Sequence, residues 1–442
     1  MVFMVDMDSS PRNPMLFDQG LSTPPTTPTT AWKENSKSQF SHGSVPASAM
    51  TPPSSPWLSK SSAPPSLITP THETRRPSSQ LSRSTTNEDL SQETSTPQCP
   101  FDFEILKNER GRDATFGSGA WSIVFKASTH PRTSTSLVTP PTSPTKSLPA
   151  VVAVKKPCRR DANAILRTEA QILSYLHTVP CSNKYVVPFY GTTGPDGSTL
   201  VLDAIPYSLE DHIRKYAYEA REELKSSLST MHEPILGSVS QWLDLANSLV
   251  SGLAWLHNIA CVVHGDVKPG NVLLRPRAGD SVGSGTQAIE GYEPVYADFS
   301  SSTRLDDDTI TPNTLAAVTR EYTAPELLSS KVLRDPNSCA TTSSDVFSLA
   351  VTLLVAVTGE LHVYGGSVFQ RQLMATQGWL VLSHVRNGEQ GSRVPMGGVV
   401  EKVLERAVLK DDLERVNALE WLEIVEQTKT KTKTTKKKHD FR

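Results

Sequence analysis

The stretch His264-Gly265-Asp266-Val267-Lys268-Pro269-Gly270-Asn271 sets a carboxylate, a primary amine and a carboxamide at fixed offsets, with Lys268 between Asp266 and Asn271. Those groups together suit phosphoryl transfer. A carboxylate can orient an attacking hydroxyl and accept its proton, a cation can meet the transferring phosphoryl group, and an amide oxygen can hold Mg²⁺. The residues in front say how the stretch is carried. Trp242, Leu245, Leu249, Leu253 and Leu256 recur at steps of three and four, which predicts a helix with one apolar stripe, ending near His257-Asn258. That stripe reads as core rather than as a ligand box.

Further elements stand at the distances such a site requires. Val152-Ala153-Val154-Lys155 alternates as a half-buried strand does, ending on a lysine. Glu169 follows in Arg167-Thr168-Glu169-Ala170-Gln171-Ile172-Leu173-Ser174-Tyr175-Leu176, where Ile172, Leu173 and Leu176 make one apolar helix face. Thr199-Leu200-Val201-Leu202 reads as another strand. The apolar run from Val346 to Val357 is too short to cross a bilayer and reads as a buried helix.

In this order the segments resemble the motif series of the eukaryotic protein kinase superfamily, serine/threonine type. His264 to Asn271 is similar to the catalytic loop His-Arg-Asp-x-Lys-x-x-Asn, with Gly265 in the arginine's place. Val152 to Lys155 resembles the strand bearing the ATP-contacting lysine, and Ala324-Pro325-Glu326 the Ala-Pro-Glu that closes the activation segment. Ala297-Asp298-Phe299-Ser300 resembles Asp-Phe-Gly with serine for glycine. Ser344 to Ala350 resembles the start of the helix beneath the catalytic loop, and Arg415 the late arginine that pairs with Glu326. Phe116-Gly117-Ser118-Gly119-Ala120-Trp121-Ser122-Ile123-Val124 resembles the glycine loop, with Ser122 at the third glycine position. A Gly-Ser-Gly run alone is more often a flexible turn; its place before the Lys155 strand gives it weight.

The resemblance implies an α+β, bilobal fold, with a small β-rich lobe over about 100–203 and a large helical lobe over about 204–427. It implies ATP and Mg²⁺ between the lobes. Gly117 and Gly119 would cover the phosphates. Val124, Leu202, Asp203 and Ile205 would surround the adenine, the latter two through backbone groups. Lys155, held by Glu169, would contact the α- and β-phosphates, and Asn271 and Asp298 would be the metal ligands. Asp266 would orient the acceptor hydroxyl, with Lys268 balancing charge on the transferred group. His264 would pack against Phe299, and Phe299 under the helix bearing Glu169. Asp345 would accept hydrogen bonds from the catalytic loop's backbone, because a buried carboxylate is tolerable only with such partners. Lys268, and Thr319 in Val318-Thr319-Arg320-Glu321-Tyr322-Thr323-Ala324-Pro325-Glu326, imply protein substrates with Ser/Thr acceptors.

The charged set Lys155, Glu169, Asp266, Lys268, Asn271 and Asp298 is complete, which favours an active kinase. The departures at Ser122 and Ser300 keep open a pseudokinase or scaffold that binds partners, and nucleotide, without efficient transfer. Serine resists the positive φ that glycine allows, so Ser300 is expected to restrict the flip of Phe299 while leaving transfer intact. Without an arginine at 265, a charge-assisted contact to a phosphorylated activation segment is missing. With Asp306, Asp307 and Asp308 as fixed negative charges, activity is expected not to need phosphorylation at the candidate sites Thr309, Thr311 and Thr314.

Composition bounds the rest. A chain of 442 residues accommodates a bilobal domain with tails, and a formal net charge of −2 offers no bulk electrostatic case for nucleic acid. The five cysteines (Cys99, Cys158, Cys181, Cys261, Cys339) are scattered, with neither metal nor disulfide spacing. No charged-then-apolar leader opens the chain, so no signal peptide is expected. Cytoplasmic or nuclear location and no transmembrane segment are the expectations. Residues 1–99 form a Ser/Thr/Pro-rich arm that cannot bury enough apolar surface to offset its ordering entropy, and disorder is expected there. Its Thr23-Pro24, Thr27-Pro28, Thr51-Pro52, Ser55-Pro56, Thr69-Pro70 and Thr96-Pro97 pairs, and Arg75-Arg76-Pro77-Ser78, are candidate targets of proline-directed or basophilic kinases upstream. A Ser/Thr/Pro-rich insertion over about 128–149 belongs on a loop tip, and a second loop spans about 275–293. The Lys/Thr run in 428–442 reads as a solvated basic tail.

Overall fold

Val152, Ala153, Val154 and Lys155 are all buried, so the strand they form is covered on both faces. The computed structural model describes residues 96–132, 148–223, 232–277, 291–306, 319–335 and 337–440, all within the unit Asn87–Arg442. In the small lobe, β1 (Asp102–Ile105), β2 (Thr115–Ser118), β3 (Ser122–His130), β4 (Val151–Pro157), β5 (Phe189–Thr193) and β6 (Thr199–Asp203) make an antiparallel sheet. Its order is β1-β3-β4-β6-β5, with β2 also on β3. The register sets Val124 and Leu200 on either side of Lys155. One face of β4 packs Val152 and Val154 against Phe101, Ala127 and Val201. The other packs Ala153 toward α1 (Ala162–Thr178), whose Leu166, Ala170, Leu173 and Leu176 are fully buried. The alternation therefore sorts residues between two buried faces rather than between core and solvent. Each Val, Leu or Phe side chain so buried contributes about 1.5–3 kcal/mol, and each alanine methyl about 0.8.

Sheet structure starts before the arm's composition ends. The Thr192 amide donates to Pro97 O (2.8 Å) and the Cys99 amide to Thr192 O (2.9 Å), so residues 97–99 line the edge of β5. Gly191 makes this approach feasible: at φ +121° its Cβ would lie 2.5 Å from Pro97 O. Strand β3 likewise continues to His130 before the insertion, whose residues 133–147 lie outside the described ones.

After α2 (Ser182–Tyr185), the large lobe is built on α3 (Leu209–Glu223) and α4 (Val239–Asn258). Ser238 and Gln241 form a capping box that starts α4, and Trp242, Leu245, Leu249, Leu253 and Leu256 are its buried stripe. Four short strands frame the loop at 264–271. Of these, β7 (Val262–Val263) pairs with β10 (Thr303–Arg304), and β8 (Val272–Pro276) with β9 (Tyr292–Tyr296). Arg275 and Glu293 are partners in the β8–β9 ladder, so the second inserted loop begins beyond them. Helix α5 (Thr342–Thr358) is buried from Ser344 onward and stops at Gly359, in the left-handed region. Helices α6 (Val368–Ala375), α7 (Val381–Arg386), α8 (Val399–Leu404) and α9 (Ala418–Asp440) complete the lobe. Among the described residues no helix is long and apolar enough to cross a membrane.

The basic run is helical. Helix α9 carries it, anchored by buried Trp421, whose Nε1 donates to Val403 O (2.7 Å), and by Lys429 against Asp244 (2.6 Å). Thr428, Thr430, Thr432 and Thr434 each turn the hydroxyl onto the carbonyl four residues back, which lets threonine ride in the helix.

Candidate active site

Strand β4 carries buried Lys155, and α1 brings buried Glu169 to meet it. Lys155 Nζ donates to both Glu169 oxygens at 2.7 Å and to Asp298 Oδ1 at 2.8 Å. Burial alone would lower the Lys155 pKa, but the Asp298 and Glu169 carboxylates raise it above the ordinary lysine value. Burial would raise Asp298, yet the Lys155 charge and the hydrogen bonds from Lys155 and Ser300 hold it well below the usual carboxylate range. Burial pushes Glu169 up, against the pull of Lys155 and of the Phe299 amide, which donates to Glu169 Oε1 (3.2 Å). Glu169 thus fixes both the lysine and the backbone next to Asp298.

The loop at 264–271 gathers the second set. Lys268 Nζ donates to Asp266 Oδ2 (2.5 Å) and to Thr319 Oγ1 (2.9 Å). Asn271 Nδ2 donates to Asp266 O (2.8 Å) and to Asp266 Oδ2 (3.1 Å). The Thr319 amide approaches Asp266 Oδ1 at 3.5 Å, a long contact that leaves this oxygen the more available one. Asp345, buried on α5, holds the loop from beneath: His264 N and Gly265 N donate to it at 2.7 and 2.9 Å. His257, in the last turn of α4, adds a contact to Asp345 Oδ2 at 3.0 Å that the sequence reading did not anticipate.

Phe299 is buried with its ring centroid 4.9 Å from that of His264, and His264 Nε2 faces Ala297 O at 3.1 Å. His264 is fully buried and its ring is engaged in packing. Arg415, with no exposed side-chain surface, grips Glu326 through Nη1 and Nη2 at 2.6 and 2.7 Å. Ser300 has a contact no glycine could make, because its hydroxyl donates to Asp298 Oδ1 at 2.7 Å while Asp298 sits at φ +61°.

In the sheet, Val124 lies opposite Lys155 and Leu202 opposite Ala153. The Ile205 amide donates to Asp203 O at 3.2 Å, so these groups exchange partners if they meet an adenine. Gly117 and Gly119 are exposed, and a Cβ at either would touch nothing within 4 Å; openness rather than backbone strain is what they provide. Ser122 is buried in β3 behind them.

A hard divalent cation fits Asp298 and Asn271. The Asp298 side chain is 39% exposed, and its Oδ2 accepts no hydrogen bond among the described residues. Asn271 spends its Nδ2 on Asp266, leaving its carbonyl oxygen for a cation. Among the described residues no group of three or more His, Cys, Asp or Glu could hold a metal. Two protein oxygens, completed by phosphate and water, is the arrangement Mg²⁺ favours.

Gly265 stands at φ +82°, where a Cβ would lie 2.3 Å from Ser301 O. Ser302 Oγ also donates to His264 O (2.8 Å). Arg304 pairs with Asp306 through Nε and Nη2 at 3.0 and 2.7 Å and stacks 4.0 Å over the Tyr175 ring of α1. Tyr175 in turn donates to Ala260 O (2.9 Å), in the turn ahead of β7. Asp307, Asp308, Thr309, Thr311 and Thr314 lie outside the described residues.

Residues 115–422 match the family described as the protein kinase domain. The chain is 27% identical over 215 residues to the serine/threonine-protein kinase ISR1 of Eremothecium gossypii, covering 47% of this chain and 52% of that one. It is 30% identical over 218 residues to the proline-rich receptor-like protein kinase PERK12 of Arabidopsis thaliana, covering 48% and 25%. With the human serine/threonine-protein kinase/endoribonuclease IRE2 it shares 27% over 236 residues, covering 53% and 22%. The chain thus spans about half or less of the length of these relatives.

Proposed function

The chain belongs to the protein kinase family, and from that premise we propose that it is an active serine/threonine kinase, transferring the ATP γ-phosphoryl group to protein hydroxyls. The observation that carries this reading is Lys268 bridging Asp266 and Thr319, beside a Lys155 already held by Glu169. In this reading the acceptor hydroxyl lies against Asp266 Oδ1, which takes its proton as oxygen attacks the γ-phosphorus and the bond to the β–γ bridging oxygen breaks, releasing ADP. Lys268 meets the transferred group. Lys155 holds the α- and β-phosphates, Gly117 and Gly119 lie over them, and Val124, Leu202, Asp203 and Ile205 take the adenine. Mg²⁺ on Asp298 and Asn271 supplies charge neutralisation. Thr319, tied to Lys268, supports a Ser/Thr acceptor.

Labelled γ-phosphate transfer with Mg²⁺, to basic proteins and to the chain itself, tests this, with Asp266→Asn as the matched control. Signal that the control abolishes, on phosphoserine or phosphothreonine, is expected. ATP binding without transfer would instead establish the scaffold reading.

The same reading covers regulation. The Arg304–Asp306 pair and the Tyr175 stack tie the start of the activation segment to α1 through a carboxylate the chain already carries. Full activity after phosphatase treatment is the expected result. Loss of activity on such treatment, reproduced by Thr→Ala changes at 309, 311 and 314, would overturn this part. Upstream kinases acting on the arm, and a cytoplasmic or nuclear location, belong to the proposal as well; residues 1–95 lie outside the described ones.

A further inference from the structure

Strand β5 departs from regular pairing where it meets β6. Phe189 stands opposite Leu202 and Gly191 opposite Val201, so Tyr190 is an additional residue on the β5 side. A bulge of this kind bends its strand and re-aims a side chain. Tyr190 Oη donates to Asp203 Oδ1 at 3.2 Å, and among the described residues no other group donates to that carboxylate. Burial, and then the Asp203 charge, push the Tyr190 phenol up to about 12, so it keeps its proton at neutral pH.

The ring is seated on the sheet face turned away from α1. Phe101 meets it edge-on with centroids 5.4 Å apart, and Phe101 is itself buried among Cys99, Val152, Val154 and Val201. The segment that brings Phe101 there is held on Thr192 through the Pro97 carbonyl and the Cys99 amide, and Cys99 Sγ donates to Phe101 O (3.4 Å). At the other end of the contact, Asp203 closes β6. Its amide donates to Pro188 O (2.9 Å), and its carbonyl accepts the Ile205 amide (3.2 Å). Side chain, amide and carbonyl of this one residue are each tethered.

We propose, building on the kinase reading above, that Tyr190 is a positioning residue for the base of ATP. Seated by Phe101, it fixes the Asp203 carboxylate, and through it the backbone from Asp203 to Ile205, before the adenine arrives. Preorganisation of this kind adds affinity by cutting the ordering cost of binding. Lys155, Asp298 and Asp266 are held by other partners. The brace therefore acts on nucleotide binding and leaves the transfer step alone.

Calorimetric titration of the full-length chain with Mg-ATP and with adenosine, beside transfer kinetics, tests this. Tyr190→Phe keeps the ring and its packing on Phe101 and removes only the hydroxyl. It is expected to weaken Mg-ATP and adenosine alike by about three- to tenfold, and to raise KM for ATP by the same factor with kcat within about twofold. Asp203→Ala should weaken binding similarly, and the double variant no further than the more affected single one, because both remove one interaction. The calorimetric arm reads the brace whether or not transfer occurs. Unchanged affinity in Tyr190→Phe, a loss confined to kcat, or a loss for Mg-ATP that adenosine does not share would overturn the assignment. A wild-type chain that binds neither Mg-ATP nor adenosine would bring down the kinase reading, and this proposal with it.

Discussion

Replacing Gly265 by alanine adds one methyl group at a place that has no room for it. At φ +82° any L-residue bears a backbone penalty of about 1–2 kcal/mol. The new Cβ would lie 2.3 Å from Ser301 O and 3.1 Å from Ser301 C, so the two segments must separate by about 1 Å. Ser302 Oγ on His264 O joins them, and Gly265 N on Asp345 ties the loop to α5, so both bonds resist separation. Overpacking of this kind costs about 1–3 kcal/mol, for a total of about 2–5 kcal/mol against a typical stability of about 5–15 kcal/mol. Urea unfolding followed by the fluorescence of buried Trp242 and Trp421 reads the loss directly. Ser301→Ala should not rescue Gly265→Ala, since the overlap is with a backbone oxygen. Gly265→Arg carries the same Cβ, so restoring the family's arginine should destabilise the loop before it can capture a phosphate. An alanine variant within about 0.5 kcal/mol of the parent would refute this packing argument.

Three further outcomes follow. Lys155→Met and Asp298→Ala should each cut phosphoryl transfer by at least about a hundredfold. Lys155→Met should also lower stability by about 3–5 kcal/mol, because it strands buried Glu169; paired rate and unfolding measurements check both. Ser300→Gly should slow transfer by about two- to fivefold through loss of the 2.7 Å bond to Asp298, where the sequence suggested a neutral position; an equal or higher rate would leave that bond without catalytic consequence. His177 accepts the Phe189 amide on Nε2 while Nδ1 faces Leu173 O, so it is satisfied when neutral, and burial lowers its pKa from 6.5. Above that value neither folded nor unfolded chain binds the proton; below it the unfolded chain charges first, so stability falls with falling pH. His177→Gln should flatten this decline below about pH 6.5, read by urea midpoints.

Lys155, Glu169 and Asp298 were picked out by their resemblance to a motif series, and the structure brings the three side chains together across long separations. The apolar stripe of α4 was legible for a simpler reason, that helical period alone selects its buried face. What escaped were contacts without a period. His257 reaches Asp345 through space, and its only signal was a polar residue in the last turn before the loop. Arg304 finds Tyr175 across the fold, which nothing local to either residue encodes. Residues 97–99 pair through backbone groups, which composition does not report. That the Lys/Thr run is helical was not legible, because threonine's helix penalty is offset by carbonyl bonding once α9 is seeded by Trp421.

The seat of Phe299 bears on small-molecule selection. Its ring is buried against His264 and its amide is held by Glu169. Vacating it breaks a hydrogen bond to a charged group and exposes an aromatic ring, on the order of 3 kcal/mol together. A compound that needs the vacated seat then meets a competent fraction of about 1% of molecules, and its apparent affinity is weakened about a hundredfold. A compound that accepts Phe299 in place meets the whole population, so a screen against this protein is biased toward ligands that bind around the closed Lys155–Glu169–Asp298 cluster.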